Sequence, residues 1–270
     1  MKIAFLGGGN MAGALIGGLL AKGFEAQSIS VAERLDAARE KLAALYQVHA
    51  SADANAVVRP ADTLVLAVKP QDLRAALLPL AALVRGKLVI SIAAGVRLAD
   101  ISRWLGGHHM LVRSMPNTPA LIGAGIAALY APPEVGPAER ARAEGILAAV
   151  GATVWVQEER LLDPVTALSG SGPAYVFWFI EQLAASGVAL GLGAETARKL
   201  ALETVLGAAQ LAARSAEPAS VLRERVTSKG GTTEAALRVF DEERLAERLR
   251  RALEAASRRG AELGDILGKD

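Results

Sequence analysis

The 270-residue chain contains no cysteine, and histidine and aromatic residues are scarce. The lack of cysteine excludes disulfides, thiolate nucleophiles and cysteine-ligated zinc, and we expect no metal site. His49, His108 and His109 all lie outside the motifs described below, so no histidine is placed to act as a general base. An aromatic content of only 4%, with abundant alanine, leucine, valine and glycine, suits helices packed closely on a parallel sheet.

Neither sign of charge dominates, with 30 basic and 28 acidic residues, and no stretch combines basic and aromatic residues as nucleic-acid binders do. The N-terminal apolar run is too short for a signal peptide. The longest apolar region, Pro173 to Leu192, is interrupted by Glu181 and Gln182 and does not resemble a membrane span. We therefore expect a soluble, cytoplasmic protein without nucleic-acid or membrane partners.

A glycine cluster follows the first apolar run and leads directly into an alanine-rich helical pattern. It matches the fingerprint Gly7-x-Gly9-x-x-Ala12, which is typical of strand-turn-helix units that bind a dinucleotide pyrophosphate. Gly7 permits a tight turn, Gly9 lets backbone N–H groups approach the phosphates, and Ala12 allows close packing of helix on strand. The alternative is an ordinary glycine turn, but a position after the strand that opens the chain favours cofactor binding.

Short apolar runs alternate with helical patterns up to about residue 160, which is typical of βαβ units. The predicted strands are Ile3–Leu6, Ser28–Ala32, Thr63–Val68, Leu88–Ile92, Met110–Ser114, Ile126–Tyr130 and Thr153–Val156. The predicted helices between them include Met11–Lys22, Leu35–Tyr46 and Pro70–Leu83, and another follows the proline-rich loop at 130–139.

Strand patterns cease after about Leu161, and nearly everything that follows has a helical pattern. The predicted helices are Pro173–Leu190, Ala194–Ala213, Ser220–Thr227, Thr233–Glu242 and Leu245–Leu267. We therefore predict an α/β N-terminal Rossmann-type domain over residues 1–160, followed by an all-α C-terminal domain over residues 161–270. The helix from Pro173 is apolar nearly all round, which predicts burial either inside this chain or against a partner subunit.

The residues after the second strand usually select between NAD and NADP, and here they are Glu33 and Arg34. A carboxylate would accept hydrogen bonds from the ribose hydroxyls of NAD, whereas an arginine would pair with the 2′-phosphate of NADP. Both residues could also be a solvated pair at a helix start, so the sequence leaves the choice open.

Other strand ends carry polar or small residues that could border a ligand. Lys69 could contact phosphate or ribose, or be a surface lysine, and the small residues after Ser91 allow close backbone approach. Asn117 and Thr118 could touch nicotinamide or stabilise a turn. In the helical half, Ser169–Pro173 is either a flexible cap or a site, whereas Thr227–Glu234 predicts an anion cradle of backbone N–H groups.

Oxidation of an alcohol requires a base, which lactate-type dehydrogenases supply as histidine and β-hydroxyacid dehydrogenases as a lysine on the buried helix. Here that helix carries Glu181 and Gln182, and Lys199 lies on the next one. Reduction of a C=N bond fits better, because a protonated imine is already electrophilic and positioning can suffice.

Over essentially its whole length the chain resembles pyrroline-5-carboxylate reductases. The shared motifs are Phe-Leu-Gly-Gly-Gly-Asn-Met at 5–11, Ala-Val-Lys-Pro at 67–70, Ser-Ile-Ala-Ala-Gly at 91–95, Met-Pro-Asn-Thr-Pro at 115–119, Ser-Gly-Ser-Gly-Pro-Ala-Tyr at 169–175 and the signature from Pro218 to Asp241. Lys229 stands where the signature commonly has proline, and Glu33 replaces a commonly uncharged residue beside Arg34.

The resemblance implies NAD(P)H-dependent reduction of 1-pyrroline-5-carboxylate to L-proline, the last step of proline biosynthesis. It assigns the cofactor to Leu6, Gly7, Gly8, Gly9, Asn10, Met11, Arg34, Asn55, Ala67, Val68, Lys69, Pro70 and Ala94. It assigns the substrate to Gly231, Thr232 and Thr233, with Thr233 and Ser228 as catalytic residues. Arg34 favours NADPH, although a carboxylate at Glu33 would repel its 2′-phosphate, and NADH is the alternative.

The resemblance also implies dimers formed through the helical domain, often assembled further into decamers. Two rival interpretations remain: another imine or β-hydroxyacid reductase with the same fold, and a non-catalytic nucleotide-binding sensor. The hydroxyl-rich cradle at Ser228–Thr233 argues against the sensor, which would not need one.

Overall fold

The structure, a computed structural model, describes residues 1–269 and contains two compact units. The sheet unit comprises Met1–Ser171 and the C-terminal segment from Glu254 onward, and the helical unit comprises Gly172–Leu253. The sheet unit therefore extends past the predicted boundary at residue 160. Two contacts join this extension to β6 and to the residue that follows it, because Arg113 lies 3.9 Å from Asp163 and Asn117 donates to the Ser169 carbonyl at 3.1 Å.

In residues 1–269, eight strands form one sheet in the order β3-β2-β1-β4-β5-β6-β7-β8. They are β1 Ile3–Leu6, β2 Ile29–Ala32, β3 His49–Ser51, β4 Thr63–Leu66, β5 Leu88–Ser91, β6 Leu111–Pro116, β7 Gly125–Tyr130 and β8 Gly151–Trp155. All neighbours are parallel except β6 and β7. The seven predicted strands are confirmed with small shifts at their ends. The sequence analysis missed β3, a three-residue edge strand too short to show a pattern.

Within the described residues, twelve α-helices surround and follow the sheet. Those up to Val165 are α1 Asn10–Ala21, α2 Asp36–Tyr46, α3 Ala54–Val58, α4 Pro70–Leu77, α5 Leu98–Trp104, α6 Pro137–Leu147 and α7 Leu162–Val165. The later ones are α8 Gly172–Ala189, α9 Ala194–Arg214, α10 Ala219–Arg225, α11 Thr232–Glu242 and α12 Leu245–Leu267. The prediction of a continuous helix to Leu83 is wrong, because Pro79 lacks the N–H needed there and the chain tightens into a 3₁₀ turn at Leu78–Leu80.

Both faces of the sheet are covered, which explains the continuous apolar runs of the strands. On β1, Ile3 and Phe5 face a core shared with α1, α2 and α6, whereas Ala4 and Leu6 face a second core shared with α3, α4 and α5. The predicted α/β N-terminal and all-α C-terminal fold class is confirmed.

Helix α8, predicted to be buried, has no buried residue in this single chain. Phe177 is 65% exposed and Trp178 is 59% exposed, so burial of α8 as a central helix of one chain is wrong. Within residues 1–269, no helix is both long enough and apolar enough to cross a membrane. Exposed apolar side chains grouped as they are on α8 are typical of interaction surfaces.

His108 predicts a pH dependence of folding stability. It is 8% exposed, its Nε2 lies 3.0 Å from the Lys87 carbonyl oxygen, and burial lowers the pKa of the imidazole below its ordinary value. The folded state thus favours neutral His108, and the unfolded chain binds more protons below about pH 6.5, the ordinary histidine pKa. We expect the free energy of unfolding to fall as pH drops from there towards the folded pKa.

Urea unfolding measured between neutral and mildly acidic pH tests this expectation. His108→Gln should flatten the pH dependence, whereas His49→Gln, at an exposed position, should leave it as in the parent protein. Equal pH slopes for the parent and His108→Gln would exclude His108 as the cause.

Candidate active site

The carboxyl ends of five neighbouring strands, β3, β2, β1, β4 and β5, meet at one edge of the sheet. The chain proceeds from β1 to one side and returns to the other side with β4, so a topological switch point lies between these two strands. Ligands of open α/β sheets bind at such points. All the residues predicted to face the cofactor lie at or just beyond these five strand ends.

Three successive glycines after β1 have three different roles. Gly7 has φ +98°, and a Cβ there would lie 2.8 Å from the Ala67 carbonyl oxygen. A Cβ on Gly8 would lie 2.4 Å from Leu42 Cδ1, whereas one on Gly9 would meet nothing within 4 Å. Gly7 is therefore required by the backbone conformation, Gly8 lies against the end of the Leu42 side chain, and only Gly9 of the three borders open space.

The N-terminus of α1 presents unpaired donors beside that space. Gly9 is the N-cap residue and no side chain caps the helix. The first-turn N–H groups of Asn10, Met11 and Ala12 have no acceptor among the described residues. Ala12 is 1% exposed and packs in the core, as the fingerprint predicted. Unpaired N–H groups, a positive helix end and room for a ligand fit the pyrophosphate of a dinucleotide.

At the end of β2, the structure separates the roles of Glu33 and Arg34. The Gly8 N–H donates to Glu33 Oε2 at 2.9 Å, and the Leu35 N–H donates to Oε1 at 3.0 Å. Both carboxylate oxygens are thus bonded to backbone. Arg34 is exposed, and its guanidinium has no hydrogen-bond or ion-pair partner among residues 1–269. Glu33 stabilises the glycine turn, and Arg34 is available to an anion.

The remaining predicted cofactor residues lie around the same edge. Asn55 is exposed in α3, and its N–H donates at 2.9 Å to the side chain of Asp53, the N-cap residue, which the sequence analysis missed. The Ala67 N–H donates to the Leu6 carbonyl at 2.8 Å, which joins the turn after β4 to the end of β1. Lys69 is exposed at the start of α4.

The structure makes Asn117 a turn-stabilising residue. Its Nδ2 donates to the Ser169 carbonyl at 3.1 Å, and its Oδ1 accepts from the Ile126 N–H at 3.0 Å. Both ends of the amide are therefore used within the protein, which favours the structural interpretation over a nicotinamide contact. Thr118 is exposed and begins a 3₁₀ turn.

The segment expected to be a flexible cap or a site at Ser169–Pro173 begins inside a π-helical turn, Thr166–Gly170. Its closing bond runs from the Ser171 N–H to the Thr166 carbonyl at 2.8 Å. A Cβ on Gly170 would lie 2.5 Å from Met115 Cε, so this turn packs tightly on a side chain of β6. Such π turns often mark functional positions in helices.

In the helical unit, the predicted cradle is the loop that leads into α11. Gly231 is the N-cap residue, no side chain caps the helix, and the N–H groups of Thr232, Thr233 and Glu234 have no acceptor in the described part of the chain. The Glu234 carboxylate instead accepts from the Gly230 N–H at 2.7 Å, so these first-turn N–H groups remain available to an anion.

The hydroxyl groups of that loop are also available. Within residues 1–269, those of Ser228, Thr232 and Thr233 make no hydrogen bond, whereas the Thr227 hydroxyl donates to the Arg223 carbonyl at 2.7 Å. The Ser228 carbonyl accepts from the Gly231 N–H at 3.0 Å and closes the turn. The loop can thus offer both N–H groups and hydroxyls to a small acid.

Arg113 on β6 was not identified from the sequence. It is 4% exposed, pairs with Glu159 at 3.0 Å and lies 3.9 Å from Asp163. Glu159 also accepts from the Leu98 N–H at 2.8 Å. The only sign of its role in the sequence was an arginine within an otherwise apolar strand. Its ion pairs with Glu159 and Asp163 join β6 to the segment that precedes α8.

Two family models match separate parts of the chain. A family model described as pyrroline-5-carboxylate reductase dimerisation matches residues 159–263, and one described as NADP oxidoreductase, coenzyme F420-dependent, matches residues 2–95. A pyrroline-5-carboxylate reductase of Pseudomonas aeruginosa is 44% identical over 269 residues, covering 99% of this chain and 98% of that protein.

Solved structures lead to the same family. A pyrroline-5-carboxylate reductase from Coxiella burnetii is 40% identical, with a TM-score of 0.92 over 97% of this chain and 98% of that one. A pyrroline carboxylate reductase from Plasmodium falciparum, solved with NADP bound, is 27% identical, with a TM-score of 0.85 over 98% of both chains.

Proposed function

The chain belongs to the pyrroline-5-carboxylate reductase family, and we infer that it catalyses the NAD(P)H-dependent reduction of 1-pyrroline-5-carboxylate to L-proline. This is the last step of proline biosynthesis and makes the protein an oxidoreductase acting on a C=N bond. The observation that carries the inference is the 44% identity over 99% of the chain to a relative of that name. The uncapped N-termini of α1 and α11 support it with two anion-binding positions.

The backbone N–H groups at the two helix starts bind the ligands, and a hydroxyl group positions the reacting ring. The N–H groups of Asn10 and Met11 bind the pyrophosphate of the cofactor, and those of Thr232 and Thr233 bind the carboxylate of the pyrroline. The bound reduced nicotinamide supplies a hydride to the imine carbon. The Thr233 hydroxyl, with Ser228 beside it in the loop, donates a hydrogen bond near the ring nitrogen. Because the imine is reactive once protonated, orientation supplies most of the catalysis.

A spectrophotometric assay of reduced-nicotinamide oxidation with pyrroline-5-carboxylate tests this function, run in parallel with NADPH and NADH. Formation of proline in amounts equal to the cofactor consumed supports it. Turnover of a different small imine or hydroxy acid, without proline formation, would favour the rival reductase with this fold. Cofactor binding without turnover of any of these would favour the sensor.

We also propose that NADPH is preferred and that Arg34 is the reason. Its guanidinium is exposed and uncommitted, whereas the Glu33 carboxylate is already bonded to two backbone N–H groups. Arg34→Ala is expected to lower kcat/KM for NADPH roughly thirtyfold, since a hydrogen bond to a charged group contributes about 2 kcal/mol.

The same variant should leave kcat/KM for NADH within a factor of two or so of the parent value, because NADH lacks the 2′-phosphate. Arg39→Ala is not a matched control, because Arg39 donates to the Glu33 and Arg34 carbonyls. Lys41→Ala, at an exposed position on α2, is the better one. An equal loss with both cofactors in Arg34→Ala would remove Arg34 from the selection of NADPH.

We propose that the helical unit, Gly172–Leu253, forms the dimerisation and substrate domain that the sequence placed at 161–270, with α8 in the dimer interface. The support is the dimerisation family model, together with the exposed aromatic side chains of α8. Trp178→Glu should weaken self-association by at least about 2 kcal/mol, because it places a charge in an apolar contact. Sedimentation equilibrium should then show monomers at concentrations where the parent protein is dimeric.

Leu35→Glu is the matched control for Trp178→Glu, since Leu35 is 69% exposed but lies in the sheet unit. It should sediment as the parent does. If Trp178→Glu also remained dimeric, α8 would not be in the interface. Assembly of dimers into decamers and cytoplasmic localisation remain predictions from the sequence.

A further inference from the structure

The last turns of α12 pack on the turn between β5 and α5, residues 92–97. A Cβ on Gly264 would lie 2.9 Å from the Gly95 carbonyl oxygen and 3.2 Å from Arg97 Nε. Gly95 has φ +79° and is buried, and a Cβ there would be 3.4 Å from both Leu263 Cβ and Leu267 Cδ1. The missing side chain of Gly264 thus allows the helix and the turn to approach with backbone near backbone, whereas Gly95 is favoured by its positive φ.

Two polar contacts extend this packing along the segment that follows β5. Arg97 Nη2 donates to Asp265 Oδ1 at 2.6 Å, and Arg103 Nη2 donates to the Gly268 carbonyl at 2.8 Å. Both members of the Arg97–Asp265 pair are largely exposed, and exposed pairs contribute little on their own. The close contact at Gly264 is therefore the stronger constraint on the turn.

The other side of this turn belongs to the cofactor edge of the sheet. Ala94 is exposed, whereas Ala93 before it and Gly95 after it are buried. Strand β5 ends next to β4, whose following turn contacts Gly7. The turn is thus held on its inner side by α12 while it presents Ala94 outward, at the edge where ligands of such sheets bind.

We propose that residues 263–268 position the β5–α5 turn against the cofactor, with Gly264 as the positioning residue. The proposal rests on the proposed function, which places the cofactor along this edge. Gly264 lies outside both matched family ranges, 2–95 and 159–263. The C-terminal segment then acts on the cofactor site by holding the turn and does not itself contact the cofactor.

Two glycine-to-alanine changes on the same helix provide the test. Gly264→Ala forces the Gly95 turn to shift, whereas a Cβ on Gly260 would lie 3.7 Å from its nearest neighbour, an ordinary contact with Asp163. Both changes raise helix propensity equally. The NADPH dissociation constant, measured by fluorescence titration, should rise about tenfold in Gly264→Ala, and kcat should fall at least as much because hydride transfer is sensitive to orientation.

Gly260→Ala should match the parent protein in both quantities. Asp265→Ala, which removes the ion pair without adding an atom, should raise the dissociation constant only two- to threefold or so. A Gly264→Ala protein with a lowered melting temperature but parental NADPH affinity and kcat would overturn the proposal and leave α12 a purely structural element. Because NADPH affinity is measured without substrate, absence of proline formation in the parent would defeat the proposed function and leave this comparison intact.

Discussion

Replacing Gly9 with alanine is expected to weaken NADPH binding about a hundredfold, a loss of about 2.7 kcal/mol, without loss of folding stability. The backbone at Gly9, φ −68° and ψ −174°, suits alanine, and the added Cβ would meet no protein atom within 4 Å. It would instead enter the space in which a phosphate approaches the N–H groups of α1. Fluorescence titration with NADPH and urea unfolding measure the two effects separately.

Gly7→Ala is the contrasting variant in the same turn. It requires φ +98° of an alanine and places Cβ 2.8 Å from the Ala67 carbonyl oxygen, so it should destabilise the fold by about 2–4 kcal/mol. Comparison of the two variants separates the ligand-facing glycine from the structural one. Parental NADPH affinity in Gly9→Ala would mean that the pyrophosphate does not approach α1 at this position.

The second large effect is expected at Thr233. Its hydroxyl makes no hydrogen bond within residues 1–269, and its N–H lies in the uncapped first turn of α11. Thr233→Ala should lower kcat/KM for pyrroline-5-carboxylate about a hundredfold, as for other hydrogen bonds that act on the reacting group. The NADPH dissociation constant should stay unchanged, because only a contact with the pyrroline is removed.

Two further variants sharpen this prediction. Thr233→Ser keeps the hydroxyl and should restore most of the activity. Thr227→Ala removes a hydroxyl from the same loop, but that hydroxyl is bonded to the Arg223 carbonyl, so kcat/KM should change little. Parental kinetics for Thr233→Ala would exclude its hydroxyl from the mechanism, whereas equal losses for Thr233→Ala and Thr227→Ala would indicate a general disturbance of the loop.

Most of the fold follows from patterns within a few residues. All four residues of β4 are buried, and three of them are apolar. A continuous apolar run of this kind predicts a parallel strand from the local sequence alone. Gly191, after α8, and Gly230, before α11, likewise mark helix boundaries through local backbone chemistry. Strand β3 was not predicted, because an edge strand of three residues, only partly buried, has too few positions to show a hydrophobic periodicity.

Some parts of the candidate site could likewise be predicted from local sequence, and others could not. The sequence identified the glycine turn after β1 and the loop before α11, since both depend on local backbone chemistry. The sequence could not assign separate roles to Glu33 and Arg34. The role of Glu33 depends on its hydrogen bond with the Gly8 N–H, which lies 25 residues away in the chain. The sequence left Asn117 open for the same reason, since both partners of its amide come from other segments.

By itself, therefore, the sequence determined most of the succession of strands and helices, the two helix starts that form the candidate site and the family to which the chain belongs. These features depend on residues close together in the chain, since glycine, proline and the spacing of apolar residues determine local backbone structure directly. Only the tertiary structure decided that Arg113 is a buried cation with acidic partners, that α8 is exposed in a single chain, and that Gly264 meets Gly95. Such contacts join residues far apart in the chain, and their energies depend on burial and close approach, which exist only once the chain has folded.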